Sequence, residues 1–237
     1  MKEQPLPFDA AQDLRDAPRA GGAQRPKDAA TLILTRGGAR PEVLMGRRAP
    51  GHVFMASKWV FPGGRIDRAD FGAASTSALP SEVARRLEAE VPARRARALA
   101  LAAVRETFEE TGLILGRPAP PVTVAGPWRE YRRAGALPDL AVLSYIARAI
   151  TPPGRSRRFD ARFFMAPAEA LLTPEPTAGS GELEEIAWLP LDQARTLDLP
   201  AITRFVLSEA AERLHCPERP LPFVRMVRGR HVVEHRD

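Results

Sequence analysis

Cysteine is almost absent from these 237 residues: Cys216 stands alone, so no intramolecular disulfide can form and no CxxC or Cys/His ligand spacing is available. Such cysteine usage suits a reducing compartment, and the cytoplasm is the expected location. No apolar stretch reaches the roughly 20 residues that span a bilayer. Residues 1–25 carry Pro5, Pro7 and Pro18 without the apolar core of a secretory signal, so no membrane partner is expected. Lysine is confined to Lys2, Lys27 and Lys58, leaving arginine to carry the formal net charge of +6. The arginines are scattered among acids and alanines, which reads first as a solvated surface. A positive potential suits an anionic partner, but a nucleic-acid binder would more typically show a basic stripe or a recognition motif, and neither is found. Nucleic acid stays a distant alternative.

What is present is one core's worth of apolar sequence. Hydrophobic residues make up 44% of the chain, evenly mixed with charge, which fits a single globular domain. Residues 1–28 are polar and punctuated by Gly21 and Gly22, so they are expected to form a flexible arm before a domain over 29–237. Thr31–Thr35, Glu42–Met45 and Lys58–Phe61 are short apolar runs bounded by turn residues, as strands are. Leu140–Ile150, Phe159–Met165 and Ile186–Leu189 read the same way, whereas Leu191–Leu197 and Ala201–Leu214 have helical periodicity. Ser81 is a plausible N-cap for a short helix ending before Pro92. Strands interrupted by helices suggest an α/β layered sandwich.

Ala98–Thr111 is the clearest helix, rich in helix formers and followed by Gly112 at a C-cap position. Leu101, Val104 and Phe108 form its apolar stripe. Glu106, Glu109 and Glu110, at i, i+3 and i+4, project together from roughly the opposite side. Taken alone, the string would favour a solvated acidic face. Carboxylates held together repel and raise one another's pKa unless a cation or water compensates them. A hard cation such as Mg²⁺ takes oxygen ligands and bridges to phosphates. The Gly63-Gly64 turn after a strand could bring a backbone carbonyl to the same ion, because no side chain obstructs the approach.

Phe61-Pro-Gly-Gly64 together with Arg105-Glu-Thr-Phe-Glu-Glu-Thr-Gly-Leu113 resembles the Nudix box, whose second half runs Arg-Glu-U-x-Glu-Glu-x-Gly-U with U a bulky aliphatic residue. Thr107 stands where an aliphatic residue is usual, and Asp70 where the motif's first glutamate belongs. Gly64 and Arg105 are 41 positions apart, about 27 more than the motif's spacing, an insertion at about 71–97 whose closure entropy grows only slowly with length. A box split in this way, preceded by His52-Val-Phe-Met-Ala-Ser-Lys58, is similar to the Nudix branch that includes a peroxisomal coenzyme A diphosphatase. The last residues, His235-Arg-Asp237, carry no peroxisomal tripeptide.

The resemblance implies an α+β Nudix fold, an α/β/α sandwich with a central mixed β-sheet. It implies a hydrolase that uses Mg²⁺ or Mn²⁺ to split a diphosphate linkage in a small nucleotide-like substrate, with coenzyme A or acyl-coenzyme A first. ADP-ribose or NADH follows as an alternative, and a catalytically inactive nucleotide sensor stands against both. It further implies a metal site of the Gly63 carbonyl, Glu106, Glu109 and Glu110, with Arg105 pairing to a motif carboxylate. Glu106, Glu109 and Arg105 are the catalytic candidates, and a homodimer is compatible with the family.

Arg47, Arg48, Lys58 and Arg65 flank the Gly-Gly turn and are candidates for phosphate oxygens, with ordinary surface charge as the competing reading. In the segment Arg158-Phe-Asp-Ala-Arg-Phe-Phe164, alternation separates Arg158, Asp160 and Arg162 from Phe159 and Phe163, and the polar side is the candidate cleft face. Trp59 is expected in the core, while Trp128 and Tyr131 lie where a nucleobase could stack. Glu184 and Glu185 are candidates for a further ligand or base. His52, His215, His231 and His235 form no ligand spacing, and Cys216 is read as structural.

Overall fold

The structure is a computed structural model that describes residues 24–49, 57–177 and 179–236. The segment before Gln24, and with it most of the expected arm, lies outside the described residues, as does His52 with its neighbours. Its centre is a nine-stranded mixed sheet in the order β11-β10-β7-β8-β1-β2-β3, with β4 also paired to β1 and β9 to β2. The strands are β1 (Lys27–Arg36), β2 (Glu42–Arg48), β3 (Trp59–Val60), β4 (Gly63–Arg65), β7 (Ser144–Ile150), β8 (Phe159–Pro167), β9 (Leu183–Pro190), β10 (Leu221–Val227) and β11 (Arg230–Arg236). β1 runs parallel to β8 and β7 parallel to β10, while the other pairs are antiparallel. β5 (Gly116–Pro118) and β6 (Ala136–Pro138) form a separate ribbon.

β1 is buried almost continuously because both faces of the sheet are covered. Ala30, Leu32, Leu34 and Phe164 face one helical layer, formed by α1 (Ser81–Glu88) and α2 (Ala93–Thr111). Ile33, Met45 and Phe163 face the other, where α5 (Ala201–Arg213) contributes Val206, Leu207 and Ala210. This is the α/β/α sandwich expected from the sequence. α3 (Arg129–Arg133) and α4 (Leu191–Ala194) are short connections.

The insertion in the motif forms structure of its own. It supplies α1 and extends α2 back to Ala93, five residues before the expected start. Pro80, and not Ser81, precedes the first turn of α1, and no side chain caps it. Pro fits there because its fixed φ suits a helix entrance and the first turn's N–H groups have no helical partner. At the other end of α2, Gly112 sits at φ 73° and its N–H donates to the Phe108 carbonyl, a left-handed cap that favours glycine. Thr107, the departure from the aliphatic pattern, is fully buried and donates its hydroxyl to the Ala103 carbonyl, so the polar atom is satisfied inside the helix.

Candidate active site

The motif glycines lie against the glutamate helix because close approach requires them. A Cβ on Gly63 would fall 2.6 Å from the Ala30 carbonyl oxygen in the neighbouring strand, and one on Gly64 would fall 2.3 Å from the Glu106 carboxyl carbon. The Gly63 N–H donates to Glu110 Oε2 at 3.0 Å, so β4 and α2 are joined through the motif itself.

Arg105 is 3% exposed and organises the rest. It donates from Nε and a terminal nitrogen to both oxygens of Asp70 at 2.9 and 3.0 Å. It also donates to Glu106 and Glu109 at 2.8 Å each and to the Arg65 carbonyl at 2.9 Å. Asp70, completely buried, accepts in addition from Trp128 Nε1 and from the Asp67 backbone N–H. Asp70 thus anchors the arginine from within a short 3-10 turn, Arg68–Phe71, and is turned away from the cleft. Trp128 is consumed by this contact, and Tyr131 packs edge-on against it with its hydroxyl donated to the Leu115 carbonyl. Both aromatic rings are buried, which removes them as a stacking platform for a base.

Burial raises the pKa of Glu106, Glu109 and Glu110 together. For Glu110 the desolvation outweighs the Gly63 hydrogen bond and the nearby Arg48, and its pKa rises to about 8. Glu182 adds to the negative potential on Glu106 and Glu110 and lines the same cleft. Sequence reading had singled out Glu184 and Glu185 instead. Glu184 is exposed and lines a neighbouring pocket, and Glu185 pairs with Arg47 at 3.3 Å. What places Glu182 is the loop before β9: Thr177 and Ser180 donate backbone N–H groups to the Thr111 and Glu109 carbonyls. Gly179 lies so close that a Cβ there would meet the Glu110 carbonyl oxygen. The loop therefore caps the carbonyl end of α2, where orphan acceptors need partners.

Among the described residues no three His, Cys, Asp or Glu side chains form a ready cation cage. Glu106 and Glu109 are turned toward Arg105, and Glu110 toward Gly63. The donor set nonetheless suits a hard divalent cation. It consists of carboxylate oxygens gathered in one part-buried cleft, and Mg²⁺ is commonly held by one or two carboxylates plus substrate phosphates.

Of the four basic candidates, Arg48 lines a pocket beside Gly63 and Gly64. Lys58 is engaged with Asp198 at 2.6 Å, and Arg65 is exposed next to the glycines. The polar side of β8 is not the cleft face. Arg162 is completely buried among Asp28, Glu90 and Asp160 on the α2 side, and Phe159 and Phe163 line the pocket instead. Alternation separates the two faces of a strand, but which one is covered depends on the partners packed there.

A family model described as the NUDIX domain matches residues 25–208. The sequence is 30% identical to acyl-coenzyme A diphosphatase NUDT19 of Gallus gallus over 62% of this chain and 52% of that protein, so the chain spans about half the length of this relative. Against the protein of the same name from Homo sapiens it is 26% identical over 86% of this chain and 77% of that one. A solved NUDIX hydrolase from Alicyclobacillus acidocaldarius superposes with a TM-score of 0.58 at 27% identity, covering 81% of this chain and 96% of the other. None of the described helices is long and apolar enough to cross a membrane. A motif that folds as a glycine strand against a glutamate helix, inside a domain matched over most of its length, places the chain in the NUDIX domain family, the family of Nudix hydrolases.

Proposed function

We propose that the protein is a divalent-cation-dependent diphosphatase acting on coenzyme A or its acyl thioesters. The observation that carries the reading is an excess of carboxylate in one cleft: Glu106, Glu109, Glu110 and Glu182 gather there, with Arg105 as the organising cation. The named function of the two curated relatives supports the choice of substrate.

Glu106, Glu109 and Glu110, with the Gly63 carbonyl, would hold Mg²⁺ or Mn²⁺. Bound there, the cation would neutralise the diphosphate and lower the pKa of the attacking water. Arg105, locked to Asp70, holds one oxygen of Glu106 and one of Glu109, so it is a positioning residue. A carboxylate of the set takes the proton as the water oxygen bonds to phosphorus, and the bridging oxygen departs with the other phosphate. Arg48, beside the glycine strand, would pair with phosphate oxygens.

Hydrolysis of coenzyme A, an acyl-coenzyme A, ADP-ribose and NADH, each with and without Mg²⁺ or Mn²⁺, tests the reading. Cation-dependent splitting of coenzyme A that is lost in Glu109→Gln is the expected result. Tight, cation-independent binding of one compound with turnover of none would make the protein a sensor instead.

A further inference from the structure

On the sheet face opposite α2, a cavity of about 170 Å³ opens beside the motif glycines. Phe159, Ala161 and Phe163 of β8 form its floor, Ile202 of α5 closes one side, and Arg48 and Arg157 bring positive charge to it. Gly64 is shared with the reaction centre: one side of this residue lines the cavity and the other lies against Glu106. The cavity is therefore next to the carboxylate cluster and cannot be a remote site. Its volume falls below the roughly 300–1,000 Å³ of pockets that hold a whole small ligand, so it suits one segment of a larger substrate. Among the described residues, the hydroxyls in its wall come from Thr31 and Thr203. A polyhydroxylated sugar there would lose water without recovering enough hydrogen bonds, whereas a branched aliphatic group would only gain burial.

We propose that this cavity selects the arm attached to the diphosphate by receiving a branched aliphatic segment bonded almost directly to the phosphate, as at the pantoyl end of coenzyme A, in preference to a ribose. The inference rests on the diphosphatase reading and specifies which part of the substrate decides specificity. Arg48 and Arg157 complement the phosphate on the cavity side of the glycine strand. The distal thioester end lies far along the arm from this cavity. Free coenzyme A and its acyl derivatives should accordingly be split with similar kcat/KM, and it is the proximal segment that matters.

The test is the ratio of kcat/KM for 3′-dephospho-coenzyme A to that for ADP-ribose, which share the adenosine diphosphate end and differ in the arm. Wild type should favour dephospho-coenzyme A by roughly tenfold to a hundredfold, the scale that methyl-sized groups give in an apolar pocket. Ala161→Leu and Ile202→Trp, which fill the cavity, should lower that ratio at least about tenfold. An unchanged ratio in folded variants that still split both compounds overturns the subsite and leaves the diphosphatase standing. A wild type that splits no diphosphate in the presence of Mg²⁺ or Mn²⁺ overturns both. Should the variants fail to fold, product inhibition of the wild type decides. Inhibition by 4′-phosphopantetheine at concentrations well below those needed for ribose 5-phosphate supports the subsite, and equal inhibition overturns it.

Discussion

Two clusters of buried charge sit on the same side of the sheet and differ in one respect. Around Glu90, whose side chain is 3% exposed, Arg148, Arg162 and Arg236 all approach at 3.4 Å. Asp160 and Asp28 complete that cluster against Arg148 and Arg162. The arginines there match the acids, and Arg148 and Arg236 also cover the Phe223 ring. Around Arg105 the acids outnumber the cation, and three glutamates are pushed toward their neutral forms by burial. Matched charge fixes architecture, by tying the α1–α2 corner to β7, β8 and β11. Unmatched charge is what the proposed function assigns to a cation and a phosphate.

The comparison breaks first at Glu109. Glu109→Gln should cost about a hundredfold to a thousandfold in kcat, the scale of losing one preorganised electrostatic contact, with little change in Tm. Steady-state hydrolysis beside a melting curve checks both halves. At the matched cluster the outcome should reverse. Arg162→Met leaves Asp28, Glu90 and Asp160 short of a partner and should destabilise by about 3–5 kcal/mol, read as a lower denaturant midpoint, with the specific activity of the remaining folded protein kept near wild type.

Asp70→Ala sharpens the boundary between the two behaviours, because Asp70 is completely buried and reaches the glutamates through Arg105. Removing it takes the bidentate partner from Arg105 and the acceptor from the Trp128 N–H, and stability should fall by about 2–4 kcal/mol together with kcat. Trp128→Phe, which deletes only the N–H, should lose about 1 kcal/mol with a smaller kinetic effect.

The last effect is read as a slope, the dependence of stability on pH. Glu110 has a folded-state pKa raised from 4.5 to about 8, so the folded state binds its proton more tightly than the unfolded state. The stability gained from that proton is fully present below the unfolded value and is lost as pH rises through about 8. Without divalent cation, Tm should therefore drift downward between pH 5 and 9, with other groups adding their own slopes. Glu110→Gln should flatten this drift, and Mg²⁺ should oppose it; a Glu110→Gln drift as steep as wild type would show that this carboxylate is not the titrating group.

The glutamate helix and its glycine turn were legible because both are local. The 3.6-residue period puts three carboxylates on one arc, and the Gly-Gly pair marks a close backbone approach. The strands of the central sheet were legible from short apolar runs, whereas the C-terminal hairpin Leu221–Arg236 was not, since Arg225, Arg230 and Glu234 dilute its alternation. The role of Trp128 was not legible because its partner, Asp70, lies 58 residues away in the chain. Glu182 was missed for a similar reason: the docking of Thr177, Gly179 and Ser180 onto the end of α2 brings it to the cleft.

The most direct test of the unmatched cluster is phosphate-product release from coenzyme A by metal-stripped protein, titrated with Mg²⁺, for wild type, Glu109→Gln and Arg162→Met side by side. The account predicts no turnover without cation, restored turnover in wild type and in the folded fraction of Arg162→Met, and none of comparable size in Glu109→Gln. Turnover that persists without any divalent cation, or that survives Glu109→Gln undiminished, would contradict it.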